Sequence, residues 1–364
     1  MAIDEALKNL QACGSIIDAL RHALASRFTP DLSGTSPASR FIDDNQITVF
    51  LDDLDRGWEG TTLSVKRISA LLNAIRDLSN EERGLRFRIS LRSDVYFLVR
   101  TSDESTDKIE GSVVWQSWTN HEVFALLVKR IETFFGREPD YDKLRNRSQR
   151  ELATYLTPVM DDTFRGKGHW SNAPMHQVLM SLIRKRPRDL VKLCSLAARD
   201  SHQSGSNRIY TDNFEHIFEE YSQGRVQDTV NEFRSELPEI ERLILGMKPT
   251  VKEKTAKAGY VYPTDGLLSK ITNLQQQGQF RFKSGRPASP KDLAAFLYKI
   301  NFLTARREVS DGIVRKYFEE QRYLQSSFVD FGFDWEVHPA YRWALQPGDI
   351  RAIFSSLQLS TDRD

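Results

Sequence analysis

A short apolar run that ends abruptly in acidic residues constrains this chain more than any other feature. Residues 47–51 read Ile-Thr-Val-Phe-Leu, and Asp52 and Asp53 follow at once. β-Branched and aromatic residues in a run of this length favour a buried parallel strand that ends at a loop. The run therefore predicts an α/β sheet in which one strand delivers two carboxylates at its carboxyl end.

The segments downstream of this strand alternate between helical and strand patterns. Four of them continue the series: a helix at residues 63–78, a strand at 85–91 ending at Arg92, a third strand at 112–115, and a helix at 121–135. Strands that alternate with helices are typical of an α/β sheet. We therefore expect an α/β core over residues 1–136.

Helical patterns replace strand patterns after Gly136 and dominate to about Met247. Pro187 begins one of these helices, because proline is well tolerated in the first helical turn. The polar stretch 251–264 is the best candidate for a linker. These patterns predict a helical lid or bundle over residues 137–250.

Residues 251–364 form the third predicted region. Residues 290–300 have a helical pattern, and residues 302–318 contain two β-like pieces around a turn at 310–312. Helices that are followed by a hairpin suggest a winged-helix-like module.

Composition narrows the class of protein. The 51 basic and 50 acidic side chains leave a formal net charge of +1, so no global field steers the chain toward nucleic acid. Cys13 and Cys194 have no CxxC or Cys/His spacing, which argues against a structural zinc and a disulfide framework. No stretch approaches the about 18 apolar residues of a membrane span, and no secretory signal is evident. We expect a cytoplasmic protein with no membrane partner.

The carboxylate pair has a definite use in nucleotide hydrolases. Asp52 can hold a magnesium ion through its water shell, and Asp53 can orient or deprotonate the attacking water. The alternative is that Asp52, Asp53 and Asp55 only cap a helix or solvate a turn.

The run Val-Phe-Leu-Asp-Asp-Leu-Asp-Arg at residues 49–56 closely resembles the Walker B segment of bacterial P-loop ATPases of the AAA/STAND-KAP type. This resemblance implies the magnesium role for Asp52 and the water-orienting role for Asp53. It implies that Asp55 and Arg56 structure the following loop. The implied fold class is α/β, with a partial P-loop NTPase parallel sheet followed by a helical lid and a winged-helix-like C-terminal domain.

Two arginines fall in the order that this family expects. Arg92 is similar in position to sensor one, a side chain at a neighbouring strand tip that senses the terminal phosphate. The Pro-Arg pair at residues 187–188 resembles the start of a lid helix, which gives Arg188 a nucleotide-binding, sensor-two role. The alternatives are a surface arginine at a strand end and a solvated basic helix start. Residues 293–306 and 335–345 also resemble the C-terminal module of a bacterial P-loop ATPase family near the STAND group.

The sequence contains no G-x-x-x-x-G-K-[ST] loop, the Walker A motif that grips phosphate. Ahead of residue 47, residues 3–26 predict an amphipathic helix and residues 29–44 a polar loop, so neither a P-loop nor its strand fits there. We expect ATP and Mg²⁺ to be cofactors only of the complete protein, and the isolated chain not to hydrolyse ATP or bind it tightly. The expected partner is a complementing N-terminal segment or a homo-oligomer, and the expected function is a signalling or defence-type switch.

Two other functions remain open on the sequence. A winged-helix-like end could bind nucleic acid through basic side chains, although nearby acidic residues dilute the patch. The basic residues are Lys283, Arg286, Lys291, Arg306 and Arg307. The C-terminal module could instead mediate protein contacts around an aromatic core of Trp335, His338, Tyr341 and Trp343. The seven histidines show no metal-ligand spacing.

Overall fold

A computed structural model describes residues 46–81, 84–102, 104–255, 259–310, 312–322, 324 and 332–359. The helix predicted at residues 3–26 and the loop at 29–44 lie outside these residues. The chain divides into two compact units, Met1–Trp115 and Gln116–Asp364. The α/β region was expected to extend to residue 136, whereas the division follows Trp115, because the helix after it packs into the core of the second unit.

The first unit has the predicted strand, helix, strand order. Its elements are β1 (Ile47–Leu51), α1 (Thr62–Glu81), β2 (Leu85–Ile89), α2 (Ser93–Ser102) and a 3₁₀ helix (Glu104–Ser112). β1 and β2 pair in parallel from Ile47 opposite Leu85 to Leu51 opposite Ile89. Parallel neighbours need a crossover connection, and α1 supplies it. The two predicted strands and the helix between them are therefore confirmed, but the expected burial of the first strand is wrong, because its residues alternate between half-buried and exposed.

A small apolar core holds the first unit together. Its buried members come from the loop after β1 and from both helices: Trp58, Val65, Ile68, Leu72, Val95, Tyr96 and Val99. Leu54, Ile89 and Leu91 pack against this cluster. On the opposite side of the strands, Phe50 is 77% exposed, and Arg86 and Arg88 are also exposed. Parallel strands are ordinarily covered on both faces, so Phe50 is an unusual surface residue.

The third strand predicted at residues 112–115 is wrong. Ser112 ends the 3₁₀ helix, and residues 113–115 are irregular. Val113 and Trp115 pack against the core of the first unit, and the Trp115 ring meets that of Tyr96 edge to face at 5.3 Å. The apolar side chains of this short run pack against a helix, and its backbone does not pair with a neighbouring strand within the described residues.

The second unit begins with helices, continues into a small sheet, and has short helices after its last strand. Its helices are α3 (Asn120–Phe134), α4 (Tyr141–Arg145), α5 (Gln149–Ala153), α6 (Met175–Ser181), α7 (Pro187–Gln203), α8 (Thr211–Phe233), α9 (Ile240–Gly246), α10 (Val251–Thr255), α11 (Thr264–Gln275), α12 (Pro290–Lys299), α13 (Arg342–Leu345) and α14 (Ile350–Ser356). Its strands are β3 (Thr163–Phe164), β4 (Ala173–Pro174), β5 (Val261–Tyr262), β6 (Leu303–Val309), β7 (Gly312–Lys316) and β8 (Asp334–Val337). Short 3₁₀ helices cover Thr154–Leu156, Gly168–Trp170 and Pro339–Tyr341.

Local signals explain several of these boundaries. Thr119 and Glu122 form a capping box at the start of α3, in which each side chain bonds to the backbone of the other. Ser289 and Asp292 do the same for α12, where Pro290 occupies the first turn. Pro187 likewise opens α7, as predicted. These caps satisfy backbone N–H groups that a helix start leaves unpaired.

β5 to β8 form an antiparallel sheet in the order β5-β8-β6-β7. The predicted helix at 290–300 and the hairpin after it are confirmed as α12 and the β6–β7 pair, which closes where Val309 lies opposite Gly312. The predicted linker at 251–264 contains α10, β5 and the start of α11. The chain is thus mixed α/β, mainly helical with small sheets.

The helical region and the C-terminal region share one core. The Trp343 ring lies 4.6 Å from that of Phe218 on α8, and the Phe354 ring lies 6.3 Å from that of Trp170. All four side chains are buried. Residue 250 is therefore not a packing boundary, although the sequence suggested separate modules on either side of it. No helix within the described part of the chain is long and apolar enough to cross a membrane.

Candidate functional site

The carboxyl edge of the parallel pair places the predicted acidic residues beside the end of β2. The Ser90 N–H donates to the Leu51 carbonyl at 2.9 Å, so the ladder continues one residue past Ile89. Asp52 and Ser90 consequently emerge side by side. The Ser90 hydroxyl donates to Asp52 Oδ1, and the Asp53 N–H donates to the same oxygen at 2.9 Å.

Asp53 turns the chain away from the strand. Its φ is +58°, in the left-handed region that Asp and Asn tolerate better than most residues. Asp52 and Asp53 are both exposed, which leaves their carboxylates at the surface of the first unit. The acids therefore sit at a strand end and not inside a helix, as the strand pattern predicts.

Arg92 also lies at this edge, where its guanidinium group forms ion pairs with two aspartates. Its Nε and Nη2 donate to Asp94 Oδ1 and Oδ2 at 3.0 and 2.7 Å, and its Nε lies 3.5 Å from Asp55 Oδ2. The guanidinium thereby ties the loop after β1 to the first turn of α2. Fork-shaped pairing of this kind fixes both partners more firmly than a point charge does.

The donor set at the strand edge fits a magnesium ion. Mg²⁺ prefers oxygen ligands, keeps several waters, and is usually bound through one or two carboxylates plus substrate phosphates. Asp52 and Asp53 are exposed carboxylates with a serine hydroxyl beside them. Within the described ranges, no group of three or more His, Cys, Asp or Glu residues could hold a metal. An ion held by these two carboxylates would keep most of its ligand positions for water or another ligand.

Arg188 belongs to the second unit, where it is exposed in the first turn of α7. The neighbouring buried arginine is Arg184, whose Nε and Nη2 donate to Asp189 Oδ2 and Oδ1 at 2.8 and 3.2 Å. Arg225 also donates to Asp189. Burial alone would raise the pKa of the Asp189 carboxyl, but Arg184 and Arg225 outweigh it and hold that pKa well below its usual range.

The same network joins the start of α7 to the C-terminal region. Arg184 Nη1 donates to the Tyr341 hydroxyl at 2.8 Å, and that hydroxyl lies 2.9 Å from Thr229 Oγ1 on α8. Arg184 and Asp189 are almost fully buried. Apart from a basic run, no local sequence pattern indicates this network, because Thr229 and Tyr341 lie 45 and 157 residues away from Arg184.

A second buried charge cluster lies on the β5–β8 sheet. Arg315 and Arg342 donate to Glu336, which is 1% exposed. Burial would raise the pKa of Glu336, yet these guanidinium groups lower it to about 2. His338, also buried, contacts the Tyr317 hydroxyl at 3.0 Å, and burial together with Arg315 lowers its pKa to about 3.

The candidate nucleic-acid patch is dispersed. Arg306 is buried and donates to Glu308 and Gln358, while Arg286 pairs with Asp292. Lys283, Lys291 and Arg307 are exposed. The four aromatic and histidine side chains expected in the C-terminal core, Trp335, His338, Tyr341 and Trp343, are all buried.

Comparison with known proteins gives two partial matches. Residues 121–230 match the family described as FunZ-associated C-terminal helical domain. A protein of Escherichia coli (strain K12) named "Putative transposon gamma-delta 80.3 kDa protein" is 22% identical over 213 residues, which are 58% of this chain. The matched part spans 28% of that protein's length. No solved structure matches the chain. The chain is therefore similar to a C-terminal helical domain over α3 to α8.

Proposed function

We propose that this chain is the Walker B-bearing, C-terminal part of a P-loop ATPase that acts as a signalling or defence-type switch in the cytoplasm. Its Walker A loop would come from another segment, since this sequence has no such motif. The observation that carries the proposal is the placement of Asp52 and Asp53 at the carboxyl edge of a parallel strand pair. Ligands of open α/β sheets bind outside the carboxyl ends of the strands.

Each residue at this edge has a distinct task in the proposal. When bound, Mg²⁺ neutralises charge on the phosphates of ATP. Asp52 would hold the ion through its waters, and the exposed carboxylate of Asp53 would orient the attacking water. Arg92 would keep the loop after β1 in place through Asp55 and Asp94, a structural task that differs from the phosphate-sensing role expected of it. Arg188, exposed on α7, remains a candidate for phosphate contact.

Two further features support the proposal that a separate Walker A-bearing segment completes the nucleotide site. Phe50, Arg86 and Arg88 are exposed on the face of the strands away from the described core, where a P-loop helix would cover them. The matched family is described as a C-terminal helical domain, and the E. coli relative is much longer than the matched region. The partner in this proposal is thus a Walker A-bearing segment or a second copy that supplies one, and the C-terminal region would serve as a winged-helix-like module.

The test uses the chain assembled with its Walker A-bearing segment. Asp53→Asn should lower ATP hydrolysis by about 100-fold or more while nucleotide binding stays within a few-fold, because the water-orienting group acts mainly in the transition state. The matched control is Asp77→Asn, an exposed aspartate on α1 of the same unit. Equal hydrolysis by the two variants would refute the assignment.

The nucleic-acid alternative has less support. α12, the helix that precedes the β6–β7 hairpin, buries five of its ten residues, and Arg306 is buried. Binding to duplex DNA by the intact chain should therefore be weak and fall steeply with salt, as expected for nonspecific phosphate contacts.

A further inference from the structure

Ser90 and Arg92 both follow β2 and lie near the acidic residues at the end of β1. Their side chains contact different partners. The sequence pattern extends the strand to residue 91 and makes Arg92 its tip, whereas β2 ends at Ile89. The residue that leaves the sheet next to Asp52 is Ser90. This placement follows from the backbone register, since the Ser90 N–H bonds to the Leu51 carbonyl.

The Asp52 carboxylate is held from two sides through one oxygen. Oδ1 accepts the Ser90 hydroxyl and also the Asp53 N–H, which lies 2.9 Å away. These bonds come from different strand ends, so together they fix the torsion of the side chain as well as its position. A carboxylate fixed before the ion arrives loses less conformational freedom on binding.

Arg92 is directed elsewhere by its own carboxylate partners. Its bidentate contact with Asp94 and its approach to Asp55 occupy two nitrogens of the guanidinium. Moving Arg92 toward a phosphate would break this cluster and release the loop. The serine is therefore the better placed of the two residues to influence the metal carboxylate.

We infer that Ser90 is a positioning residue for the metal-binding carboxylate of Asp52. The sequence pattern alone indicates no such role for Ser90. The inference rests on the proposed function, because it presupposes a divalent cation at Asp52. Partners that hydrogen-bond to ligating carboxylates change metal affinity by roughly 10- to 100-fold when removed. A serine with only a surface role would have no such effect.

The experiment uses Mn²⁺ as the probe and the intact chain. Mn²⁺ broadens amide signals near its site in a ¹H–¹⁵N TROSY spectrum, so titration reports both affinity and place without requiring ATP hydrolysis. Ser90→Ala should weaken Mn²⁺ binding near Asp53 by roughly 10- to 100-fold. Ser90→Thr keeps the hydroxyl and should stay within about threefold of the unmodified chain. Ser102→Ala, an exposed serine at the end of α2, is the matched control.

Asp52→Asn separates failure of the inference from failure of the proposed function. Loss of Mn²⁺ binding in Asp52→Asn with unchanged binding in Ser90→Ala would overturn the role of Ser90 and leave the cation site standing. Unchanged binding in both variants, or no Mn²⁺-induced broadening in the unmodified chain up to millimolar concentration, would overturn the site and the inference together. Thermal unfolding of each variant verifies that reduced binding does not reflect a misfolded first unit.

Discussion

Replacing Trp343 with alanine removes one of the side chains through which the C-terminal region packs into the helical core. The indole is 3% exposed, and its ring lies 4.6 Å from that of Phe218, 6.3 Å from that of Trp170 and 6.1 Å from that of Phe354. Phe218 and Trp170 belong to the region similar to the C-terminal helical domain family. Phe354 belongs to α14. The substitution therefore disrupts a contact between segments that the sequence assigns to different modules.

The size of the effect follows from burial. An aromatic side chain of this kind buries about 150–250 Å². At about 25 cal/mol per Å², the lost transfer energy is about 4–6 kcal/mol. Measured Phe or Trp to Ala changes in cores cost about 3–5 kcal/mol, so we expect about 4 kcal/mol. In a unit of this size each kcal/mol corresponds to roughly 2–4 °C, which predicts a fall in Tm of roughly 8–16 °C.

Calorimetry and urea unfolding of the intact chain provide the assay. If the second unit has one core, the variant should lose stability in a single transition that includes the helical region. Phe134→Ala, at a side chain that is 83% exposed on α3, should change the unfolding free energy by less than about 1 kcal/mol. A loss below about 1 kcal/mol for Trp343→Ala, or a separate transition for the C-terminal region alone, would refute the shared core.

Three other perturbations test separate parts of the structure. The lowered pKa of His338, about 3 against an ordinary 6.5, means that the unfolded chain takes up a proton first, so stability should fall as the pH drops from about 6.5 toward 3. His338→Gln should reduce that slope by up to about 1.4 kcal/mol per pH unit, and an unchanged slope between pH 6.5 and 4.5 would contradict it. Arg184→Met leaves Asp189 buried without its bidentate partner and should cost about 3–5 kcal/mol in urea unfolding. The same change at exposed Arg188 should cost less than about 0.5 kcal/mol, and similar costs would show that Arg184 is not buried as described. Phe50→Ser should leave the isolated chain within about 0.5 kcal/mol but weaken co-purification with the Walker A-bearing segment; unaltered assembly would argue against docking on this sheet face.

Local patterns sufficed for many elements of the fold. The apolar run at 47–51, the alternation from residue 85 and the proline at the start of α7 each specify one element through nearby residues, and the structure has those elements. The helix at 290–300 and the hairpin that follows were also predictable, because capping and turn residues act over a few positions. The strand predicted at 112–115 failed because a strand also needs a partner at its edge, which a local pattern does not supply.

The candidate site was only half predictable for the same reason. Two aspartates directly after a short apolar strand pattern indicate carboxylates at a strand end, so the positions of Asp52 and Asp53 could be predicted from the sequence. The role proposed for Ser90 could not be predicted, because it depends on where β2 ends and on its register with β1, and the sequence pattern places that strand end two residues later, next to Arg92. Strand register is set by pairing and by the face that packs inward.

Local sequence patterns were enough to locate β1, β2 and the helix between them in the first unit, to identify the acids that end β1, and to show that the sequence contains no Walker A motif. Three-dimensional packing was needed to show that Arg184 is buried while Arg188 is exposed, that Arg92 pairs with Asp94, and that Trp343 packs into the helical core. The difference arises from the separation along the sequence over which each kind of interaction acts. Helix caps, turns and hydrophobic periodicity act between residues a few positions apart, whereas core packing and buried hydrogen bonds join side chains more than a hundred residues apart.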